Sequence, residues 1–174
     1  MASIGWLHLS DLHQGLKDQD WLWPSVKERF FEDLERLHRN TGPWDLVLFT
    51  GDLTQQGSAE EFDRLTTTLE ALWRHLDRLG SRPFLVAVPG NHDLVRPDPR
   101  RAVVKVMRQW HEDRDLRDQL LTEPGSEVRQ LIEDAFTPFT NWLSAWAREH
   151  PAPIGVTVQR GVLPGDASVL VEKE

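Results

Sequence analysis

The chain has 174 residues, of which 28% are charged and 39% hydrophobic, a balance typical of one soluble folded domain rather than of a disordered chain. Its formal net charge of −8 argues against a broad surface that grips nucleic-acid phosphates, and the absence of cysteine excludes disulfides and thiolate metal ligands. The amino terminus has neither a basic leader nor a long apolar segment, so we expect no signal peptide or membrane span and predict a cytoplasmic protein.

The first predicted element is a short buried strand from Ile4 to Leu9, which runs into the polar loop Ser10 to His13. A helix follows, and its first turn is predicted to contain Pro24. Asn40 and Gly42 are typical of the residues that end a helix.

A second apolar stretch, Asp45 to Phe49, predicts another buried strand that ends in Thr50-Gly51-Asp52. Ser58 and Glu61 then have the spacing of a capping box, so a helix is expected to begin there. Its apolar residues recur at helical spacing until Gly80 ends it.

The third predicted strand, Phe84 to Val88, leads into Pro89-Gly90-Asn91-His92-Asp93. An order of strand, helix, strand, helix, strand predicts an α/β fold with a parallel sheet covered by helices. All three polar loops then lie at the carboxyl ends of strands, where open α/β sheets bind their ligands. We therefore expect the three loops to meet at one edge of the sheet.

Residues 97–150 change in character and show two helical patterns, one around Val103 to Trp110 and one around Val128 to Trp146. Pro138 is expected to kink or break the second helix. This region is predicted to be a helical insertion that forms one wall of a substrate cleft.

Two short strands are predicted in the tail, at residues 155–158 and 168–171, joined by a turn rich in glycine and proline. The sequence stops within a strand-like stretch, so truncation is the simplest interpretation. We treat residues 1–174 as a single, truncated domain whose second half is incomplete.

The three loops offer carboxylate, amide and imidazole groups, which suit Mn²⁺, Fe or Zn²⁺ better than Ca²⁺ alone. A purely structural alternative is that the aspartates cap loops while the glycines permit tight turns. The coincidence of all three loops after apolar strands favours a metal site. The candidate residues are Asp11, His13, Asp52, Asn91, His92 and Asp93.

These loops resemble the calcineurin-like metallophosphoesterases, whose D-x-H, G-D and G-N-H-[D/E] blocks match residues 11–13, 51–52 and 90–93. The resemblance covers about Ile4 to Asp93. It implies layers of β-sheet flanked by helices and a hydrolase that uses two metal ions. The implied reaction is in-line attack on phosphorus by a hydroxide that bridges the two ions.

The resemblance also implies a role for each candidate residue. Asp11 and His13 would hold the first metal, and Asp52 would bridge both. Asn91 would bind the second metal. His92 would act as the catalytic imidazole beside the substrate, where it would donate a proton to the leaving oxygen or stabilise the charge on that oxygen. Asp93 would orient that imidazole.

The sequence departs from the family in one respect: the later G-H and G-H-x-H blocks are absent. His111 and His150 lack the expected neighbours and are not predicted as ligands. The first metal position keeps three protein ligands and the second keeps two, so we predict a weak or inactive enzyme with unequal occupancy of the two positions.

The expected function is a metal-dependent phosphoesterase acting on phosphate mono- or diesters. A nuclease of the same superfamily is one alternative, although the acidic net charge does not indicate a nucleic-acid partner. A basic cluster between Arg96 and Arg108 leaves that alternative open. A second alternative is a degenerate module with a regulatory or protein-interaction role. Self-association, or completion by a carboxyl-terminal remainder, is also expected.

Four further side chains enter the predictions. We expect His8 to be a buried, hydrogen-bonded strand histidine, and His75 to lie on a helix surface. Trp21 and Trp23 follow the first polar loop and are the tryptophans placed to reach a substrate.

Overall fold

The structure of the protein is a computed structural model that describes residues 3–17 and 19–172, and for residues 19–22 the backbone alone. In chain order the elements are β1 (Trp6–Leu9), α1 (Gln19–Thr41), β2 (Leu46–Thr50), α2 (Ala59–Arg78), β3 (Phe84–Val88), α3 (Ala102–Met107), α4 (Arg114–Thr122), α5 (Glu127–Ala135), α6 (Thr137–Glu149), β4 (Val156–Arg160) and β5 (Ala167–Val171).

Strands β1, β2 and β3 form a parallel sheet in that order. Leu9 lies opposite Phe49, and Phe49 lies opposite Ala87, so the three strands end at nearly the same level. The predicted α/β class with a parallel sheet and flanking helices is confirmed. The register also brings the three polar loops to a common edge.

One face of this sheet belongs to the hydrophobic core. Alternate strand residues point into it because successive side chains of a strand lie on opposite faces. Helices α1, α2 and α6 supply the other side of the same core, through residues such as Leu34, Leu69 and Phe139. The strand residues in this core are Leu7, Leu9, Val47, Phe49, Leu85 and Ala87.

The opposite face of the sheet is partly open. Trp6 is 62% exposed and Val88 is 36% exposed, and His8 and Thr50 on the same face are also exposed. Ile4, just before β1, is 40% exposed. The sheet therefore presents a surface of both apolar and polar side chains on the side away from this core.

The capping box that begins α2 is present as predicted. The Ser58 hydroxyl accepts a hydrogen bond from the Glu61 amide, and the Glu61 carboxylate accepts one from the Ser58 amide. The prediction for α1 was partly wrong, because Pro24 lies inside this helix and not in its first turn. Proline lacks an amide hydrogen, so α1 continues past Pro24 with one backbone hydrogen bond fewer.

Residues 97–150 are helical, but they contain four helices and not the two predicted. The first pattern gives the short α3, and Trp110 lies in the turn that follows it. Helix α4 begins at the carboxylate cap Asp113, which the sequence analysis missed. The predicted break at Pro138 is present: α5 ends and α6 begins at Phe136, with Pro138 in the first turn of α6.

The two tail strands are present as the antiparallel hairpin β4–β5, in which Val158 lies opposite Val169. Within the described residues this hairpin forms a sheet of its own. No helix in the described part of the chain is long and apolar enough to cross a lipid bilayer.

Candidate metal centre

The polar loops after β1 and β2 remain paired beyond the ends of their strands. The amide of Asp11 donates to the Gly51 carbonyl at 3.2 Å, and the amide of His13 donates to the Asp52 carbonyl at 2.9 Å. The Gln14 amide continues the series with a bond to the Leu53 carbonyl. Two of the predicted ligand loops are thus fixed to each other by backbone hydrogen bonds.

Three predicted ligands have left-handed backbone conformations. The φ angles are 58° at Asp11, 50° at His13 and 52° at Asp52. Residues other than glycine seldom adopt this region, and such conformations concentrate at functional sites. The strain coincides with the three positions that supply the side chains of the first predicted metal site.

Glycines let the second and third loops approach each other closely. A Cβ atom on Gly51 would lie 3.1 Å from the Gly90 Cα, and one on Gly90 would collide with the Asp52 carboxylate. Only glycine fits at Gly90 without moving that carboxylate. The two glycines therefore bring the Asp52 loop against the loop that carries His92.

One ligand atom from each of His13, Asp52 and His92 lies within 4.8 Å of the others. The two imidazole rings meet edge to face, with their centroids 4.8 Å apart. Asp11 joins the group from one side, because its Oδ1 is 3.9 Å from the Nε2 of His13. All three polar loops thus contribute to one cluster of donor atoms.

The His92 ring is held in a defined orientation. Its backbone amide donates to Asp52 Oδ1 at 3.1 Å, and its Nδ1 lies 2.9 Å from the Gln55 carbonyl oxygen. A carbonyl can only accept, so Nδ1 carries the hydrogen. In the neutral ring, Nε2 is then the nitrogen with a free lone pair.

The Asp93 side chain is fully buried. Its carboxylate accepts hydrogen bonds from the amides of Leu53 and Gly90, and from both the amide and the hydroxyl of Thr54. The hydrogen-bond partner of the His92 Nδ1 is the Gln55 carbonyl and not the Asp93 carboxylate, so that an orienting role of Asp93 stays a prediction and would act through the loop backbone. Asp93 ties the loop after β2 to the loop after β3.

Asn91 lies in the turn between Gly90 and His92, and its side chain is exposed. His8 is exposed and not buried as predicted, and its Nε2 lies 2.6 Å from the Thr50 hydroxyl, next to the second loop. His75 is buried, contrary to its predicted place on a helix surface, because its ring stacks on Phe31.

His111 and His150, which were not predicted as ligands, are not part of the donor cluster. His111 is exposed beside Glu112, and His150 stacks on Trp146 with the ring centroids 4.1 Å apart. Trp23 packs near Phe30 on α1, with the ring centroids 6.0 Å apart. The side chain of Trp21 falls outside the described residues, so the prediction for it stays a prediction.

The donor set fits a transition-metal ion. Imidazole and carboxylate are the usual ligands of Zn²⁺, Mn²⁺ and Fe. Two bonds of about 2.0–2.2 Å span donors up to about 4.4 Å apart, so side chains whose donor atoms lie within 4.8 Å need to close by only a few tenths of an ångström. In the described part of the chain, the buried Nδ1 of His13 has no hydrogen-bond partner. A buried polar atom without a partner is unfavourable unless something else binds it or its neighbour.

Two residues that support the site were missed by the sequence analysis. The Gln55 carbonyl orients His92. This contact could not be predicted, because a pattern of side chains gives no information on which backbone carbonyl lies beside a ring. The buried Glu61 carboxylate accepts hydrogen bonds from the amides of Gln56 and Ser58, which fixes the segment that presents Gln55. Glu61 was expected as half of a capping box, but its second partner could not be read from the spacing.

The sequence profile of the calcineurin-like phosphoesterases matches residues 6–166. The match spans most of the chain, so the protein belongs to this family. It extends well beyond Asp93, where the motif resemblance ended. A comparison with curated proteins found no significant match. Family membership and the cluster of His13, Asp52 and His92 indicate a metal-dependent phosphoesterase domain.

Proposed function

We propose that the protein hydrolyses phosphate mono- or diesters with the help of two metal ions, Mn, Fe or Zn, held by its three polar loops. The observation that carries the proposal is the convergence of His13, Asp52 and His92 donor atoms within 4.8 Å. In the proposed arrangement Asp11 and His13 hold the first ion, Asp52 is shared, and Asn91 belongs to the second.

The chain's own part in the reaction is to fix these groups before the substrate arrives. Bound ions would activate a water molecule and neutralise charge on the phosphoryl oxygens. The hydrogen bonds between the loops hold Asp11 and His13 next to Asp52, so little rearrangement is needed when an ion binds.

His92 has two candidate roles that its geometry supports equally well. Because Nδ1–H is bonded to the Gln55 carbonyl, Nε2 faces away as either a lone-pair donor or, when protonated, an acid. As an acid it would give its proton to the leaving oxygen. As a ligand it would join His13 and Asp52 around an ion.

Metal binding is the first test. Purified protein is titrated with Mn²⁺, Fe²⁺ and Zn²⁺ by calorimetry, and bound metal is counted by mass spectrometry. Asp52→Ala is expected to reduce the bound metal, because Asp52 is shared between the two positions. Asp63→Ala, an exposed carboxylate on α2, is the matched control. Unchanged stoichiometry in Asp52→Ala would remove the bridging assignment.

The role of His92 is decided by comparing metal content with turnover in His92→Ala. An acid role predicts a loss of roughly 10²–10⁴-fold on an ester with a poor leaving group, a smaller loss with p-nitrophenolate, and unchanged metal content. A ligand role predicts that metal is lost together with activity. Full activity on the poor leaving group would exclude the acid role.

The alternatives give different outcomes in the same experiments. A regulatory or interaction module predicts metal binding without hydrolysis of any ester. A nuclease predicts preference for oligonucleotides over aryl esters. The basic cluster offers limited support for a nuclease, because its Arg100 is already paired with Asp98 at 3.0 Å.

A further inference from the structure

A cavity of about 260 Å³ lies between the first half of α1, the middle of α2 and the carboxyl ends of β1 and β2. On the helix side it is lined by Trp23, Val26 and Phe30, which recur at helical spacing and share one face of α1. On the sheet side it is lined by Leu9 and Phe49, which lie opposite each other on neighbouring strands. The first half of α1 therefore stands off the sheet and leaves a space between them.

This cavity adjoins the candidate metal centre. The segment Ser10 to Leu12, which includes Asp11, forms part of its wall. The Asp11 carboxylate lies 3.9 Å from His13, which belongs to the donor cluster with Asp52 and His92. The cavity and the donor cluster therefore meet at Asp11, and an ester whose phosphorus lies at the cluster has its alcohol part close to this space.

The lining restricts the chemistry of an occupant. Among the described residues that form the walls, Asp11 is the one charged side chain, and it stands at the end nearest the metal centre. The Thr68 hydroxyl is already bonded to the Gln14 amide oxygen at 2.9 Å. The interior thus favours an uncharged apolar group, and the Asp11 carboxylate opposes a second phosphate.

The volume restricts the size of the occupant. Apolar cavities of roughly 150 Å³ admit a benzene molecule. A space of about 260 Å³ therefore holds one or two fused rings or a short alkyl chain, but not a nucleoside with further phosphates.

We propose that this cavity is the subsite for the alcohol part of the substrate, and that the substrate is the phosphate ester of a small aromatic or aliphatic alcohol. The proposal rests on the proposed hydrolysis of phosphate esters. It makes Trp23, Val26 and Phe30 specificity-determining residues, because they line the space in which the alcohol is held.

The first experiment needs neither metal nor turnover. Binding of 1-naphthol to the metal-free protein is measured by calorimetry or ligand-detected NMR. Val26→Phe fills the cavity, and its position is 43% exposed, so the larger ring is compatible with folding. Val106→Phe, at a 47% exposed position on α3, is the matched control. We expect naphthol binding to weaken at least about tenfold in Val26→Phe and to stay unchanged in Val106→Phe.

The second experiment links the cavity to the metal centre. With metal bound, 1-naphthylphosphonate, which is not hydrolysed, is expected to bind at least about tenfold more tightly than methylphosphonate. Val26→Phe should abolish this ratio, and Val106→Phe should keep it.

The two experiments separate failure of the subsite from failure of the proposed function. Absence of naphthol binding, or equal binding to both variants, overturns the subsite and leaves metal-dependent hydrolysis standing. Naphthol binding with no preference between the phosphonates shows a cavity that is not part of the substrate site, and also overturns the proposal. If neither metal nor the phosphonates bind, the proposed function is wrong, and the proposed substrate subsite, which depends on it, is wrong as well.

Discussion

Replacing Asp93 tests whether the candidate centre depends on a buried carboxylate that touches no predicted metal ligand. One oxygen of Asp93 accepts from the amides of Leu53 and Gly90, at 3.1 and 2.8 Å. The other accepts from the amide and hydroxyl of Thr54, at 2.7 and 2.9 Å. Asp93→Asn keeps the shape of this side chain but turns one of the two acceptors into a donor.

The magnitude follows from the donors that lose their acceptor. Asparagine can keep one pair of bonds, and the Thr54 hydroxyl can rotate to accept from the new amide, so one buried backbone N–H of Thr54 is left unpaired. An unsatisfied buried donor costs about 1–3 kcal/mol, and bonds to a charged acceptor are the stronger ones. We expect Asp93→Asn to lower the free energy of unfolding by about 2–3 kcal/mol. Asp93→Ala leaves the backbone amides of Leu53, Thr54 and Gly90 without an acceptor, so it should lower the free energy of unfolding by more than about 3 kcal/mol.

Urea unfolding followed by tryptophan fluorescence measures this loss, with Asp63→Asn as the exposed control on α2. Asp93→Asn should also weaken metal binding, because the loops that carry Asp52 and His92 lose their link. If Asp93→Asn unfolded within about 0.5 kcal/mol of the wild type, the hydrogen bonds assigned to Asp93 would not stabilise the fold, and this reasoning would be refuted.

Two further predictions concern parts of the molecule away from the site. Burial, assisted by Arg78, holds the pKa of His75 below its ordinary value, so the neutral ring is favoured in the folded state and stability should fall as pH drops below about 6.5. Relative to His75→Phe, the wild type should lose up to about 1.4 kcal/mol of unfolding free energy per pH unit between pH 6.5 and 5. If the unfolding free energies of the two proteins fell in parallel with pH, the prediction would be contradicted. The open sheet face should cause self-association, which light scattering detects as a molecular mass that rises with protein concentration. Trp6→Lys should reduce this association. Trp110→Lys, at a 48% exposed position outside the sheet, should leave it unchanged. A wild type that stays monomeric at every concentration would exclude association through this face.

The parts of the fold predicted most accurately from sequence are those set by local patterns. Continuous apolar runs gave the three parallel strands, and a capping box gave the start of α2. The start of α1 was misplaced because Pro24 is tolerated inside the helix when one backbone hydrogen bond is given up. Helix α4 was missed because its Asp113 cap is followed by mostly polar residues.

The convergence of the three loops could be predicted because strand ends of a parallel sheet share an edge. The detailed contacts could not, since they depend on backbone atoms and burial. His75 shows the limit: its spacing fits a helix surface, but Phe31 of α1 packs over its ring at 4.3 Å between centroids. His8 shows the converse, because β1 turns it to the open face of the sheet.

The left-handed residues give the strongest physical argument that the loops serve chemistry and not only folding. Glycine would adopt such angles at little cost, whereas another residue there costs about 1–3 kcal/mol. Asp11, His13 and Asp52 all occupy this region, and the neighbouring Gly51 shows that glycine fits into the same loops. The backbone bonds between the first two loops, and the Asp93 carboxylate between the second and third, hold this strained arrangement. Because folding alone would be better served by glycine, the side chains at these positions must contribute something that glycine cannot. The donor atoms of His13 and Asp52 meet that of His92 in one cluster, which is what a metal site requires.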